Sequence, residues 1–407
     1  MDNGIAILKV PIRTLTVPDE GLSVCRTLSF IAALGFAVVF GCGQRHAQSA
    51  SPPSEAATPG GEQPARTSDI RRDEEVVFFS TSAHQSADGK TWTLPIHGVV
   101  HEPEKDSLRR GALVLAVRKS LDLKPGTPES ENLDRRLRLF LVDNESGKKI
   151  LVRIGTKAYE AGESEPNGHF QATILLAAAE VASLADRRNA DGGWLSFEAI
   201  LPTADRRRFS GRVQLIGPEG LSVISDIDDT IKDSQVGDTR AVLANTFLRK
   251  FKPVAGMPEL YRRLAQAGAV FHYVSGSPWQ LYPLLAEFVD AEGYPRGSFD
   301  LKHFRLKDRS MLGLLQSQEA TKLRAIEPIL AAYPERRFIL IGDSGEQDPE
   351  IYTKIARDHP GRVAAIFIRA VRGEKIGDER FQTLRKGLQG VRLELFEHPE
   401  TIARLVE

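Results

Sequence analysis

The chain has 407 residues, with 54 Lys plus Arg against 54 Asp plus Glu and a formal net charge of zero. That length suggests two or three domains with cores of their own, and a balanced charge argues against a nucleic-acid partner. With 41% hydrophobic and 27% charged residues, the composition argues against wholesale disorder and against a polytopic membrane protein. Both cysteines, Cys25 and Cys42, fall in the first 42 residues. The body of the chain therefore has no disulfide, no cysteine-based zinc site and no thiol nucleophile.

The strongly apolar run is LSFIAALGFAVVFG, Leu28 to Gly41. It is shorter than the about 20 residues that span a bilayer. It suits the hydrophobic core of a signal peptide, with Lys9, Arg13 and Arg26 upstream. It ends in Val39-Phe40-Gly41-Cys42, which resembles the lipobox of bacterial lipoproteins, where the cysteine is lipidated and the leader removed. The resemblance implies a leader over residues 1–42, lipidation at Cys42, and a membrane-anchored protein of the cell envelope, outside the cytoplasm. The alternative is a plain signal or anchor with an incidental cysteine. Residues 43–70 are rich in Ala, Ser, Pro and Gly and cannot bury enough apolar surface to order themselves. They read as a disordered linker reaching roughly 30 Å.

Residues 71–220 show alternation of period two and short apolar runs. These are VVFF (Val76–Phe79), WTLPIHGVV (Trp92–Val100), RLRLFLVD (Arg136–Asp143), KILVRIG (Lys149–Gly155), GHFQATILL (Gly168–Leu176), WLSFEAIL (Trp194–Leu201) and FSGRVQLIG (Phe209–Gly217). Strands broken by Gly, Asn, Asp and Pro clusters predict a β-sandwich-like domain, interrupted by one amphipathic helix near Leu108–Leu121. Nothing there groups His, Cys or carboxylates in a catalytic pattern. The domain reads as a binding or scaffolding module.

From residue 221 to 407 the grammar changes. Short β-branched runs (SVISDID, AVFHYVS, RFILIGD, RVAAIFIR) alternate with helical patterns such as GMPELYRRLAQAG. In the latter, Pro258 suits a first helical turn, Met257, Leu260 and Leu264 share a face, and Gly268 can end the helix. The alternation predicts an α/β domain, a parallel sheet covered by helices, whose ligand site lies at the carboxyl ends of the strands. Chemistry-bearing residues fall there in order. Asp226-Ile227-Asp228-Asp229-Thr230 closes the first strand and Ser275-Gly276-Ser277 the second. Lys322 lies on a helical stretch, and Gly342-Asp343-Ser344-Gly345 is followed by Asp348. Singly each has a bland reading: a capping Asp348 before Pro349, a solvated Lys322, a strand-end Ser275. An EF-hand is ruled out because Ile231 stands where glycine is required. GDSG is not a serine-protease loop, because Glu346 replaces its second glycine.

Taken together, the pieces resemble the four motifs of the haloacid-dehalogenase superfamily: DxDxT, Ser or Thr, Lys, and GDxxxxD. ISDIDDTIK, NTFL…PVAGMPELY, FHYVSGSPWQLYP and FILIGDSGEQDPEIY resemble, more narrowly, the catalytic domain of the magnesium-dependent phosphatidate phosphatases first named for a yeast actin-patch protein. The match runs from about Val223 to Arg369. It implies a Rossmannoid domain of that superfamily with Asp226 as nucleophile and Asp228 as acid, then base. It also implies Ser275 and Lys322 on the phosphoryl oxygens. Mg²⁺ would be held by Asp226, the Asp228 backbone carbonyl, Asp343 and Asp348, with Asp229 and Thr230 orienting the loop. Glu346 stands where an amide side chain is expected and Gly276 varies a loop position, and neither departure touches a residue assigned chemistry. The implied substrate is phosphatidate or another membrane phospholipid, reached through the lipid anchor. The alternatives are a phosphatase of phosphoproteins, sugar phosphates or nucleotides, and a non-catalytic surface binding protein. The basic stretch Lys302, His303, Arg305, Lys307 and Arg309 is a candidate rim for anionic lipid.

Overall fold

The computed structural model describes residues 67–103, 111, 114–115, 117–119, 121–184, 193–235, 241–242, 244–302 and 318–404. The leader, Cys42, almost all of the linker, and the basic residues 303–309 lie outside the described residues. No helix among the described residues is long and apolar enough to cross a membrane.

The first part of the chain runs β1 (Glu75–Phe78), β2 (Thr81–Gln85), β3 (Thr91–Pro103), α1 (Pro128–Phe140), β4 (Val142–Asn144), β5 (Lys149–Ile154), β6 (Lys157–Glu163), β7 (His169–Ala177), α2 (Ala178–Leu184), β8 (Trp194–Ala199) and β9 (Ser210–Ile216). Its strands join in the order β1-β3-β2-β9-β8-β5-β6, with β4 and β7 also on β3. The β2–β9 pair is parallel, whereas β3 pairs antiparallel with β1, β2, β4 and β7. Trp92, Leu94 and Ile96 of β3 are buried and alternate with half-buried Thr91, Thr93 and Pro95, the two-residue period of a strand with one face inward.

One expected strand is a helix. Arg136–Asp143 belongs mostly to α1, with only Val142 and Asp143 in β4. Thr127 caps α1 by accepting from the Ser130 amide at 3.3 Å, Pro128 sits in its first turn, and Glu129 and Glu131 face its positive end. Burial of Leu133 and Arg136, three apart, completes a helical face. These local signals outweigh the alternation of Leu137, Leu139 and Leu141. Helical residues also occur among the described ones between 111 and 119.

The second part contains β10 (Leu221–Ser225), a π-helical turn (Ala244–Leu248), α3 (Met257–Gln266), β11 (Val270–Pro278), a 3-10 turn (Trp279–Leu281), α4 (Tyr282–Ala291), β12 (Gly297–Lys302), α5 (Gln318–Ala332), β13 (Arg337–Asp343), α6 (Asp348–Asp358), β14 (Val363–Arg369), α7 (Glu379–Arg385), β15 (Arg392–Phe396) and α8 (Glu400–Ala403). The six strands lie in the order β12-β11-β10-β13-β14-β15, every pairing parallel. Successive β13 side chains face opposite layers. Ile339 and Ile341 pack with Leu260, Leu285 and Ile402 of α3, α4 and α8. Phe338 and Leu340 pack with Ile326, Ile355 and Phe381 of α5, α6 and α7. The chain builds β10, β11 and β12 outward on one side, then returns to lay β13 against β10. Strand order therefore reverses between β10 and β13, and the crevice at their carboxyl ends is where such a sheet binds ligands.

The two parts share a core. Phe79 and Val99 belong to the same cluster of buried residues as Tyr273, Trp279 and Tyr282. The Tyr282 hydroxyl accepts from the Ser80 amide at 2.9 Å and lies 3.0 Å from Ser80 Oγ. The Phe299 amide donates to Ser80 O at 2.9 Å, and the Tyr333 hydroxyl to Ala83 O at 3.1 Å.

His272, in the middle of β11, is fully buried, with Nδ1 2.8 Å from Ser298 Oγ. Burial, helped by the Arg336 charge, lowers its pKa to about 3. Above its ordinary value near 6.5 the ring is neutral folded or unfolded. Below that, the unfolded chain takes a proton that the fold refuses, so stability falls from about pH 6.5 down toward pH 3, by a few kcal/mol in all (about 1.4 per pH unit). Replacing His272 by Asn should flatten the decline of the melting temperature between pH 6.5 and 4.5 relative to wild type. Equal slopes would show that His272 does not titrate this way.

Candidate active site

Asp226 follows β10 directly, and its amide donates to Ile341 O of β13 at 2.9 Å, which places it at the strand-order reversal. The loop beyond it is held from within. Asp229 adopts a left-handed backbone, φ 55°, tolerable for Asp. Its Oδ1 accepts from the amides of Ser234 and Gln235 at 2.8 and 2.7 Å. Arg369 Nη1, at the end of β14, donates to Asp229 O at 2.6 Å. Thr230 is fully buried beneath the loop.

Lys322 of α5 reaches this point with 2% exposure. Its ammonium donates to Asp226 Oδ1 at 2.9 Å and to Asp348 Oδ1, and lies 3.5 Å from Glu346 Oε2. Glu346 therefore touches a residue of the expected chemistry, a correction to the expectation that it would touch none. Asp348 begins α6, and no side chain caps that helix. The Asp348 side chain turns into the site, accepting from the Asp343 amide at 3.3 Å. Gly342 permits this approach, since a Cβ there would lie 2.3 Å from Asp348 Oδ2.

Asp226, Asp343 and Asp348 are all buried and offer carboxylate oxygens within 4.8 Å of one another. Asp226 Oδ2 and Asp343 Oδ2 are buried without a hydrogen-bond partner. Burial raises the Asp226 pKa to about 7 against the pull of Lys322, with Glu346 and Asp228 adding to the rise. Burial likewise lifts Asp348 to about 6 and Asp343 well above the carboxylate range, the latter with Asp348 and Asp226 adding repulsion. Burial works against the Lys322 charge, but Asp226 and Asp348 outweigh it and hold the ammonium well above its ordinary pKa. Four acidic groups share one lysine, and two oxygens lack any donor. An all-oxygen set of this kind fits a hard divalent cation.

Asp228 stands apart from that cluster. Its Oδ1 accepts from Lys232 Nζ and Ser234 Oγ, each at 2.7 Å. Its Oδ2 accepts from Ser277 Oγ at 2.7 Å and Ser275 Oγ at 3.2 Å. Burial alone would raise its pKa, but the Lys232 ion pair and the hydroxyl donors hold it well below the usual range. The structure thus brings Asp226, Lys322, Asp343 and Asp348 together, and joins Ser275 to Asp228. Sequence reasoning missed Lys232 and Ser234, and placed Ser277 at the strand end without a role. A lysine four residues after Asp228 was the available signal.

Residues 221–370 match the family described as phosphatidate phosphatase APP1, catalytic domain. The chain is 38% identical over 158 residues to phosphatidate phosphatase APP1 of Saccharomyces cerevisiae, covering 38% of this chain and 26% of that protein. It is 32% identical over 183 residues to an uncharacterized protein of Schizosaccharomyces pombe, covering 44% of this chain and 30% of that protein. The chain thus spans less than a third of the length of either relative. A solved structure of phosphoserine phosphatase in apo form aligns over 46% of this chain and 98% of its own, at 12% identity and a TM-score of 0.29, too low to bear on fold or activity. The segment that carries Asp226, Lys322, Asp343 and Asp348 is phosphatidate phosphatase-like in sequence.

Proposed function

We propose that the chain is a Mg²⁺-dependent phosphomonoester hydrolase of haloacid-dehalogenase type, acting on phosphatidate or a related membrane phospholipid through an aspartyl-phosphate. The observation that carries this reading is Asp226. It is a buried carboxylate with one oxygen on Lys322 and the other without a partner, beside two more buried aspartates, within the segment that matches phosphatidate phosphatases.

Asp226 would attack phosphorus, forming an O–P bond as the bond to the leaving alcohol breaks. Asp228 would give that oxygen its proton, then take one from the water that attacks the aspartyl-phosphate, releasing phosphate and restoring Asp226. The arrangement holds Asp228 as the anion, the form the second step uses. An arriving phosphate dianion favours protonation of a neighbouring carboxylate, as the first step requires. Lys322 and the Ser275–Ser277 turn would bind phosphoryl oxygens. Mg²⁺ on Asp226, Asp343, Asp348 and the Asp228 carbonyl would neutralise the charge of the dianionic ester.

We further propose that the chain is anchored through a lipidated Cys42, which would confine it at a membrane and raise the local concentration of ester without any new contact. The test is phosphate release from phosphatidate in mixed micelles and from soluble esters, with EDTA and with Mg²⁺ restored. Release should favour phosphatidate, stop in EDTA and return with Mg²⁺. Turnover of a soluble ester but not of phosphatidate would move the protein to another phosphatase class. EDTA-resistant turnover would remove the metal from the mechanism.

A further inference from the structure

Resting on the phosphatase reading, we infer that residues 71–220 form a positioning domain for the Asp228 carboxylate, backing on both sides the groups that hold it. On the Oδ1 side the grip runs through Lys232. Its ammonium, 2% exposed, bonds Asp228 and Ser234 and lies 4.8 Å from the centre of the Phe251 ring. The same ring carries the Arg136 guanidinium of α1, 4.2 Å from its centre. Arg136 also donates to the carbonyls of Asn245 and Thr246 at 3.2 and 2.6 Å, and Asn132 to that of Leu248 at 2.9 Å. Helix α1 of the first domain therefore fixes the turn that presents Phe251. Beyond Phe251 the backbone runs beside the Asp228 loop, with Asp233 N on Lys252 O and Val254 N on Ile231 O, each at 2.9 Å.

On the Oδ2 side the donors are Ser275 and Ser277, locked together by the Ser277 amide on Ser275 Oγ at 2.9 Å. The chain leaves Ser277 through Pro278 into Trp279, which is 4% exposed. The Trp279 ring stands edge-on to Phe79 at 6.3 Å and to His169 at 5.0 Å, both from the first domain. Three residues on, the Tyr282 hydroxyl is bonded to Ser80. The two halves of the Asp228 grip are thus backed by separate elements of one domain, α1 on one side and the β1–β2 corner with β7 on the other. A carboxylate that transfers a proton in each half-reaction depends on its orientation, and cation–ring contacts at buried sites are strong enough to set one.

The test uses the full chain as Arg136→Met, Arg136→Lys and Asn132→Ala, assayed on phosphatidate micelles and on p-nitrophenyl phosphate, with thermal melts. The ratio kcat/KM reports only steps through departure of the alcohol. The alkoxide of phosphatidate needs a proton to leave and nitrophenolate does not. Arg136→Met should lower kcat/KM for phosphatidate about tenfold, a part of what an acid–base group supplies, and leave that for p-nitrophenyl phosphate nearly unchanged. Arg136→Lys, which restores a cation over Phe251, should recover most of the loss. If Arg136→Met does not fold, Asn132→Ala, which removes the α1 amide from Leu248 O on the Lys232 side, gives the same comparison. Equal loss on both esters, or loss on neither, overturns the positioning role and leaves the phosphatase reading standing. A wild type inactive on both esters overturns the phosphatase reading itself.

Discussion

Asp226→Asn should reduce phosphate release at least about 10³-fold, as removal of a nucleophile does, while the protein stays folded. Asn keeps the shape of the side chain and the reach to Lys322 but carries no attacking charge. The stability side follows from the local charge balance. Asp226, Asp343, Asp348 and Glu346 crowd around one lysine, and Lys322 keeps its bond to Asp348 when Asp226 is neutral. Removing one of four mutually repelling acids should leave the melting temperature unchanged or raised. Beryllium fluoride, which mimics an acyl-phosphate on a carboxylate, should no longer be trapped. Substantial turnover by Asp226→Asn would mean that another group attacks phosphorus.

Lys322→Met should be inactive and also unstable, which separates it from the first variant. The methionine stem fills the same volume, but the buried acids lose their cation. Leaving a buried ion without its partner costs about 3–5 kcal/mol, partly relieved as the raised pKa values of Asp226 and Asp348 let them take up protons. Urea titrations at pH 8 should show that loss, and millimolar Mg²⁺ should recover part of it, because a ligand bound only by the folded state stabilises it. Recovery by Mg²⁺ but not by Na⁺ at matched ionic strength would place the divalent ion among these carboxylates without any appeal to turnover. Unaltered stability of Lys322→Met in EDTA would contradict the buried ion pairs.

The strand-end carboxylates were legible because each sits at the end of an apolar run, and the order of the runs fixes where a parallel sheet gathers them. Asp343 and Asp348 illustrate this: strand, turn and helix are all written locally. Lys232 and Ser277 were not legible as partners of Asp228, since their roles arise from a loop folding back and from the neighbouring strand. Arg136 is further from reach. Its segment carries an alternation that reads as a strand, and only the Thr127 cap, Pro128 and packing against the 244–248 turn make it a helix. β15 was not legible, because its five residues at the sheet edge carry little periodic signal.

The shared core across residue 220 has a bearing on how such chains can be recombined over evolution. The family match begins at residue 221, yet Phe79 and Val99 are packed among the residues that follow it. A gene fragment cut at that boundary would encode a sheet whose Trp279, Tyr282 and Tyr333 face water where Phe79, Ser80 and Ala83 once covered them. Moving residues 221–407 into another chain would therefore require that chain to supply matching aromatic and hydroxyl groups at those positions. The unit that carries the motifs is smaller than the unit that must fold.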